Sequence, residues 1–121
     1  MSAASMRILL VEDELLIRML LEDMLTELGH TVTAQAVRVD EAIQAARTGV
    51  FDLAILDVNL AGENTGPVAD VLVERGTPFV FATGYGTQGL PEAHRTRPTL
   101  KKPFQMDGLK QMLATAAAGK A

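Results

Sequence analysis

Short apolar runs alternate along this chain with longer segments in which apolar residues recur every three or four positions. The run at 53–56 (LAIL) is apolar at every position, which is typical of a strand buried on both faces. This run ends in the carboxylate of Asp57. The pattern predicts five strands: 7–11, 31–36, one from near Asp52 to Asp57, 78–82, and 99–100.

Helical spacing marks four segments between and after these strands. Glycine is a common residue just past a helix end, and Gly29, Gly49 and Gly76 predict the ends of the first three helices. We interpret the apolar residues of the first helix as one face, with its methionines packed into the core: Leu15, Leu16, Met19, Leu20, Met24, Leu25 and Leu28. The predicted segments are helices over 15–28, from Val39 or Asp40 to 48, over 68–74 and over 106–116, with a loop at 61–66 (AGENTG).

Strands that alternate with helices predict an α/β fold in which a parallel sheet carries helices on both faces, a doubly wound arrangement. The chain has 121 residues, a length that suits one domain. We therefore expect a single domain over 7–117, with short tails at 1–6 and 118–121 and no effector domain.

The composition narrows the possible classes of function. A net charge of −4 disfavours a nucleic-acid-binding module, which usually has a basic face. No apolar run approaches the ~18–20 residues of a membrane-spanning helix, and the first residues lack the parts of a signal peptide. We therefore expect a cytoplasmic protein that binds neither nucleic acid nor membrane. The chain has no cysteine, which excludes disulfides and thiolate metal sites.

Polar side chains follow the predicted strands at the points where the strands end. In an open parallel sheet these points meet at one edge, where ligands bind. Carboxylate oxygens favour Mg²⁺, and an aspartate beside Mg²⁺ and a lysine can attack a phosphoryl group. The residues are Glu12 and Asp13 after the first strand, Asp57 after the third, Thr83 after the fourth, and Lys101 or Lys102 after the fifth.

This series resembles the signature of the response-regulator receiver domain of two-component signalling, the CheY-like family. The resemblance extends over about 7–117 and implies a five-stranded sheet of order 2-1-3-4-5. It also implies Mg²⁺-dependent acceptance of a phosphoryl group from a sensor histidine kinase or a phosphotransfer protein, followed by altered binding of a downstream protein partner. The matching pieces are Glu12-Asp13, Asp57, Thr83 and Lys102-Pro103-Phe104.

The resemblance implies a role for each matching residue. Asp57 is similar to the phosphoacceptor of the family, and Glu12 and Asp13 are similar to the acidic pair that holds Mg²⁺ together with it. Asn59 falls where the family offers a main-chain carbonyl to the metal. Thr83 matches the switch hydroxyl that bonds the phosphoryl group.

The matching lysine is Lys102, chosen over Lys101 because it directly precedes Pro103. Many receivers carry an aromatic switch residue three positions before this lysine, where this chain has Thr99. We expect Tyr85, two residues after the switch threonine, to take over that role as a second switch residue.

The segment 78–85 (PFVFATGY) resembles the PFxFATGY motif of a receiver subgroup associated with HWE-type kinases, which implies such a kinase as the phosphodonor. Two departures accompany it. Ala61 stands where the family usually has a proline. The interval 84–98 is rich in glycine and proline, which weaken helices, so we expect the fourth helix of the family to be short or mobile.

Other functions remain open from the residues. A receiver can serve as a phosphate sink for a shared kinase. A small aspartyl-phosphate phosphatase of the haloacid dehalogenase type needs a second aspartate two residues after the first, where this chain has Asn59. A flavin-binding module needs a loop rich in Gly, Ser and Thr after the first strand, where this chain has 12–14 (EDE). We expect a signalling receiver that catalyses its own phosphorylation and dephosphorylation, rather than an enzyme with a separate substrate.

Overall fold

Strands and helices alternate along the chain, and a computed structural model describes residues 5–83, 99–101 and 104–118. The strands are β1 Arg7–Val11, β2 Thr31–Ala36, β3 Leu53–Asp57, β4 Asn59–Leu60, β5 Glu63–Asn64, β6 Phe79–Thr83 and β7 Thr99–Lys101. The helices are α1 Leu15–Glu27, α2 Val39–Thr48, α3 Gly66–Arg75 and α4 Met106–Ala118. The main sheet has the order β2-β1-β3-β6-β7, and all its pairings are parallel. The doubly wound five-stranded fold, with the order expected from the resemblance, is thus confirmed.

Two apolar layers cover the two faces of this sheet. Successive residues of a strand point to opposite faces, so Ile8 and Leu10 pack in one layer and Leu9 and Val11 in the other. The first layer contains residues of α1 and α4, and the second contains residues of α2 and α3. β3 lies in the centre with all five residues buried, as its uninterrupted apolar run predicts.

The apolar residues of α1 form two faces, where the sequence analysis predicted one. Leu21, Met24 and Leu25 are buried, whereas Leu16 is 78 % exposed and Met19 is 51 % exposed. Successive helix residues are about 100° apart, which places Leu16 and Met19 on the side opposite Leu21. The prediction that the methionines of this helix pack in the core is therefore wrong for Met19. We call the four exposed residues the α1 patch: Leu15, Leu16, Met19 and Leu20.

The segment predicted as a loop at 61–66 is instead a small hairpin followed by the start of α3. β4 and β5 pair antiparallel, with Asn59 opposite Asn64. The two residues at the tip, Ala61 and Gly62, both have positive φ, +50° and +85°, as the tightest hairpin turns require. The sequence lacks the Asn-Gly or Asp-Gly pair that usually signals such a turn, and alanine is an uncommon residue at positive φ.

His30 is buried and holds the start of β1. The main-chain N–H of Met6 donates to Nδ1 of His30 at 3.0 Å, and the N–H of Thr31 donates to the carbonyl of Met6 at 3.0 Å. Burial lowers the pKa of His30 below its usual 6.5. Because Nδ1 accepts a hydrogen bond, the imidazole is neutral and carries its proton on Nε2.

Three predictions fall on residues that the structure does not describe. They are the short or mobile helix expected within 84–98, which is the fourth helix of the family, the second switch residue Tyr85, and the family lysine with its proline at 102–103. Within the described ranges, no helix combines the length and the apolar character that a membrane span requires.

Candidate functional site

Three carboxylates meet at the carboxyl edge of the sheet. Glu12 and Asp13 directly follow β1, Asp57 ends β3, and the two strands are neighbours in register, with Val11 opposite Leu56. One carboxylate oxygen of each acid lies within 4.8 Å of one oxygen of each of the other two. The predicted grouping of these three residues is therefore present.

Burial and mutual repulsion make it unfavourable for all three carboxylates to be ionised without a counter-ion. Glu12 is 1 % exposed and Asp57 is 9 % exposed, while Asp13 lies at the surface. Two ionised carboxylates at such a separation repel by roughly 3–4 kcal/mol at an effective dielectric constant of 20. Oxygen ligands without sulfur or imidazole are the donor set that Mg²⁺ prefers. The cluster thus fits a small divalent cation, because one oxygen from each acid lies within 4.8 Å of the other two.

Hydrogen bonds from nearby residues hold the two acids that follow β1. The N–H of Glu14 donates to Oε2 of Glu12 at 3.1 Å, and the guanidinium of Arg18 donates to the carbonyl of Glu12, also at 3.1 Å. The N–H of Ala61 donates to Oδ2 of Asp13 at 3.1 Å. The tip of the β4–β5 hairpin is therefore part of the acidic site, although it lies 48 residues from Asp13 in sequence.

The main chain at the end of β3 is held by Thr65, a residue that the sequence analysis did not select. Its hydroxyl lies 2.7 Å from the carbonyl oxygen of Asp57 and 3.1 Å from that of Val58, and Thr65 is fully buried. No sequence signal marked it, because the contact exists only if the hairpin returns the chain to β3.

The remaining predicted residues occupy different positions relative to the cluster. Thr83 ends β6 and is 3 % exposed, and the residue before it, Ala82, is the partner of Asp57 in the β3–β6 ladder. Asn59 is exposed at the start of β4, two residues after Asp57. Lys102 and Tyr85 lie outside the described part of the chain.

Comparison with protein families decides the class of the molecule. The model of the response regulator receiver domain matches residues 8–114. The chain belongs to the response regulator receiver family. Receiver domains bind Mg²⁺ at an acidic pocket, and this structure shows an acidic cluster of Glu12, Asp13 and Asp57.

Solved structures of other proteins share the fold of this chain. The solution structure of SdrG from Sphingomonas melonis Fr1 matches this receiver with a TM-score of 0.84 and 46 % identity, over 94 % of this chain and 98 % of that one. The solution structure of the BeF3-activated conformation of SdrG from Pseudomonas melonis Fr1 matches with a TM-score of 0.79 and 46 % identity, over 92 % and 95 %.

Curated relatives are longer. The phyllosphere-induced regulator PhyR of Methylorubrum extorquens is 34 % identical over 114 residues, which are 90 % of this receiver and 42 % of PhyR. The chain spans about half the length of the curated relatives that it matches first, 42 % to 55 %. The similarity therefore concerns the receiver part of those proteins.

Proposed function

We propose that this receiver is a phosphorylation switch in which Asp57 accepts a phosphoryl group in a Mg²⁺-dependent reaction. The observation that carries the proposal is the cluster of Glu12, Asp13 and Asp57 at the carboxyl edge of a receiver sheet. In this proposal the domain promotes its own phosphorylation and later its own dephosphorylation, and acts on no separate substrate.

The chemistry follows from the position of the three acids. Glu12 and Asp13 would hold the metal together with one oxygen of Asp57, and the other oxygen of Asp57 would be the nucleophile. That oxygen forms a bond to phosphorus while the bond from phosphorus to the donor's imidazole nitrogen breaks, and the nitrogen keeps the electron pair. Bound Mg²⁺ supplies neutralisation of charge on the transferring group. In the later dephosphorylation, a water oxygen forms a bond to phosphorus while the bond from phosphorus to the carboxylate oxygen of Asp57 breaks, the carboxylate keeps the electron pair, and inorganic phosphate leaves.

Four further residues complete the proposed site. Asn59 would offer its main-chain carbonyl to the metal, and Lys102 would supply an ammonium for the phosphoryl oxygens. Thr83 moves its hydroxyl toward the phosphoryl group, and Tyr85 acts as the second switch residue that responds to this movement. The position of Thr83 at the end of β6, beside the strand that carries Asp57, supports the switch role.

We propose a histidine kinase or a phosphotransfer protein as the donor, and the PFVFATGY segment favours a kinase of the HWE type. The donor imidazole has to reach Asp57, so the donor protein covers the rim of the acidic site. The α1 patch begins at Leu15, two residues after Asp13, and is exposed and apolar. Removal of such apolar surface from water contributes roughly 25 cal/mol per Å² before the costs of association, which makes the patch suitable for this contact.

The proposed output is a change in binding to a downstream protein. Removal of phosphate from a shared kinase is the alternative, and it requires no downstream partner. A partner that binds the phosphorylated receiver more tightly than the unmodified one distinguishes the first role from the second.

Beryllofluoride titration followed by amide NMR tests the proposed site. Beryllofluoride mimics a phosphoryl group on a carboxylate, and a relative of this receiver has been solved in a BeF3-activated conformation. We expect Mg²⁺-dependent shifts at Glu12, Asp57 and Thr83 that disappear in Asp57→Asn. They should persist in Asp23→Asn, which changes an exposed aspartate on α1. Absence of shifts at these residues with saturating Mg²⁺ and beryllofluoride would contradict the proposal.

A further inference from the structure

Thr65 has an unusual position for a helix-capping threonine. It precedes α3 at the N-cap, but its side chain makes no capping hydrogen bond. The N–H of Gly66 is instead taken by Oδ1 of Asn64 at 2.8 Å. The hydroxyl of Thr65 is therefore left to contact β3.

The hydroxyl acts as a donor to the end of β3. The oxygens at 2.7 Å and 3.1 Å are the main-chain carbonyls of Asp57 and Val58, and carbonyl oxygens only accept hydrogen bonds. The N–H of Thr65 adds a bond to the carbonyl of Val58 at 3.0 Å. The hydroxyl of the fully buried Thr65 thus contacts the main chain of the proposed phosphoacceptor Asp57 and of the next residue, Val58.

The position of these carbonyls gives the contact its importance. The β1–β3 ladder has its last pair at Val11 and Leu56, so the carbonyl of Asp57 lies past the end of that ladder. On the other side, the N–H of Val58 donates to the carbonyl of Ala82 at 3.2 Å. The main chain at Asp57 is therefore fixed by β6 from one direction and by Thr65 from another.

Thr65 also closes the base of the β4–β5 hairpin. The hairpin leaves β3 after Val58 and returns to it at Thr65, and its tip holds Asp13 through the N–H of Ala61. A loosened base would move both the phosphoacceptor strand and the partner of a metal-holding carboxylate. The hydroxyl of Thr65 therefore affects the positions of two of the three acids, Asp57 directly through its main chain and Asp13 through the hairpin.

We propose that Thr65 is a positioning residue for phosphoryl acceptance, and that its buried hydroxyl fixes the main chain from which the carboxylate of Asp57 projects. This inference rests on the proposed function of Asp57. In-line transfer depends on the placement of the reacting oxygen, and a misplacement of about 1 Å can cost about 100-fold in rate. Thr65 contacts the main chain of Asp57 and Val58, not a carboxylate, and acts through that main chain and through the hairpin that begins there.

The test compares rates of phosphoryl acceptance from acetyl phosphate at saturating Mg²⁺, read by intact mass, well below the unfolding temperature of each variant. Thr65→Val removes the donor and keeps the shape of the side chain, and Thr65→Ser restores the donor. Val71→Ala is the matched control. Val71 is a buried residue of α3, the helix that follows Thr65, so its loss weakens the core but leaves the hydroxyl contact of Thr65 in place. The dissociation constant for Mg²⁺, from amide shifts, is measured in parallel.

We expect Thr65→Val to react about tenfold more slowly than the parent. This loss is smaller than the about 100-fold loss that a full 1 Å misplacement can cause. Thr65→Ser and Val71→Ala should stay within about twofold of the parent, since neither removes the donor. Equal rates for Thr65→Val and the parent would overturn the inference, as would an equal loss in Val71→Ala. If Thr65→Val does not fold, Thr65→Ala is judged by the same criteria. A parent chain that accepts no phosphoryl group would instead refute the proposed function itself.

Discussion

Ala61 and Asp13 are joined by a hydrogen bond of 3.1 Å, from the main-chain N–H of the first to the carboxylate of the second. A proline at position 61, as the family usually has, would carry no N–H and could not make this bond. Ala61 also has a φ of +50°, which proline cannot adopt. The hairpin tip of this receiver is therefore incompatible with the residue common elsewhere in its family.

Substitutions at Ala61 should separate backbone strain from metal binding. Ala61→Gly keeps the N–H and relieves about 1–2 kcal/mol of left-handed strain, at a cost of about 0.4–1 kcal/mol from a more flexible unfolded chain. We expect a gain of about 0.5 kcal/mol in the free energy of unfolding, measured with urea, and an unchanged affinity for Mg²⁺.

Ala61→Pro should lower both the stability and the affinity for Mg²⁺. It removes the group that orients Asp13, and loss of such a supporting bond typically weakens metal binding by about 10-fold or more. Amide shifts during a Mg²⁺ titration measure the dissociation constant. An unchanged constant in this variant would show that the bond from position 61 does not orient the carboxylate.

His30 predicts a specific dependence of stability on pH. Burial lowers the pKa of the folded histidine, so below about 6.5 the unfolded chain binds more protons than the folded one. The free energy of unfolding should therefore be insensitive to this group at about pH 7.5 and fall as the pH drops through 6.5. His30→Asn, which keeps an acceptor for the N–H of Met6 but does not titrate, should lose less stability over the same interval. If the urea midpoints of the parent and of His30→Asn fall by the same amount as the pH drops from about 7.5 through 6.5, His30 is not the source of the pH dependence.

The α1 patch predicts a difference between protein and small-molecule donors. Leu16→Glu places a charge on an exposed apolar surface, where substitutions usually change stability by less than about 0.5 kcal/mol. With a histidine kinase that phosphorylates the parent, we expect transfer to slow by about tenfold, as expected for a residue central to an interface. The rate with acetyl phosphate should stay unchanged.

Val73→Glu is the matched control for this comparison, because Val73 is an exposed apolar residue on α3. It should slow transfer from the kinase less than Leu16→Glu does. Equal sensitivity of the two positions would show that the α1 patch does not contact the donor.

The pattern of apolar and polar residues was sufficient to predict the strands whose burial follows that pattern. The bounds of β1 and β2 match the predicted ones, and the apolar run of β3 is buried as expected. Glu12, Asp13 and Asp57 could be grouped from sequence because parallel strands bring their carboxyl ends to one edge. These features depend on the strand order and on little else.

Features that depend on the returning chain could not be predicted. Apolar spacing in α1 does not reveal which side of the helix is buried, since apolar residues such as Leu16 and Leu21 occupy opposite sides and only the packing against the sheet separates them. The hairpin tip at Ala61 lacks a turn signature, and the role of Thr65 exists only once that hairpin has formed. Each of these features depends on tertiary packing, which the local sequence pattern does not contain.

Intact-mass measurement with small phosphodonors tests the central claim most directly. The chain is incubated with acetyl phosphate or phosphoramidate, with and without Mg²⁺, beside Asp57→Asn and the control Asp23→Asn. We predict the addition of one phosphoryl group to the parent and to Asp23→Asn, only with Mg²⁺, and none to Asp57→Asn. No addition to the parent with either donor, or an addition that persists in Asp57→Asn, would contradict the assignment of Asp57 as the phosphoacceptor.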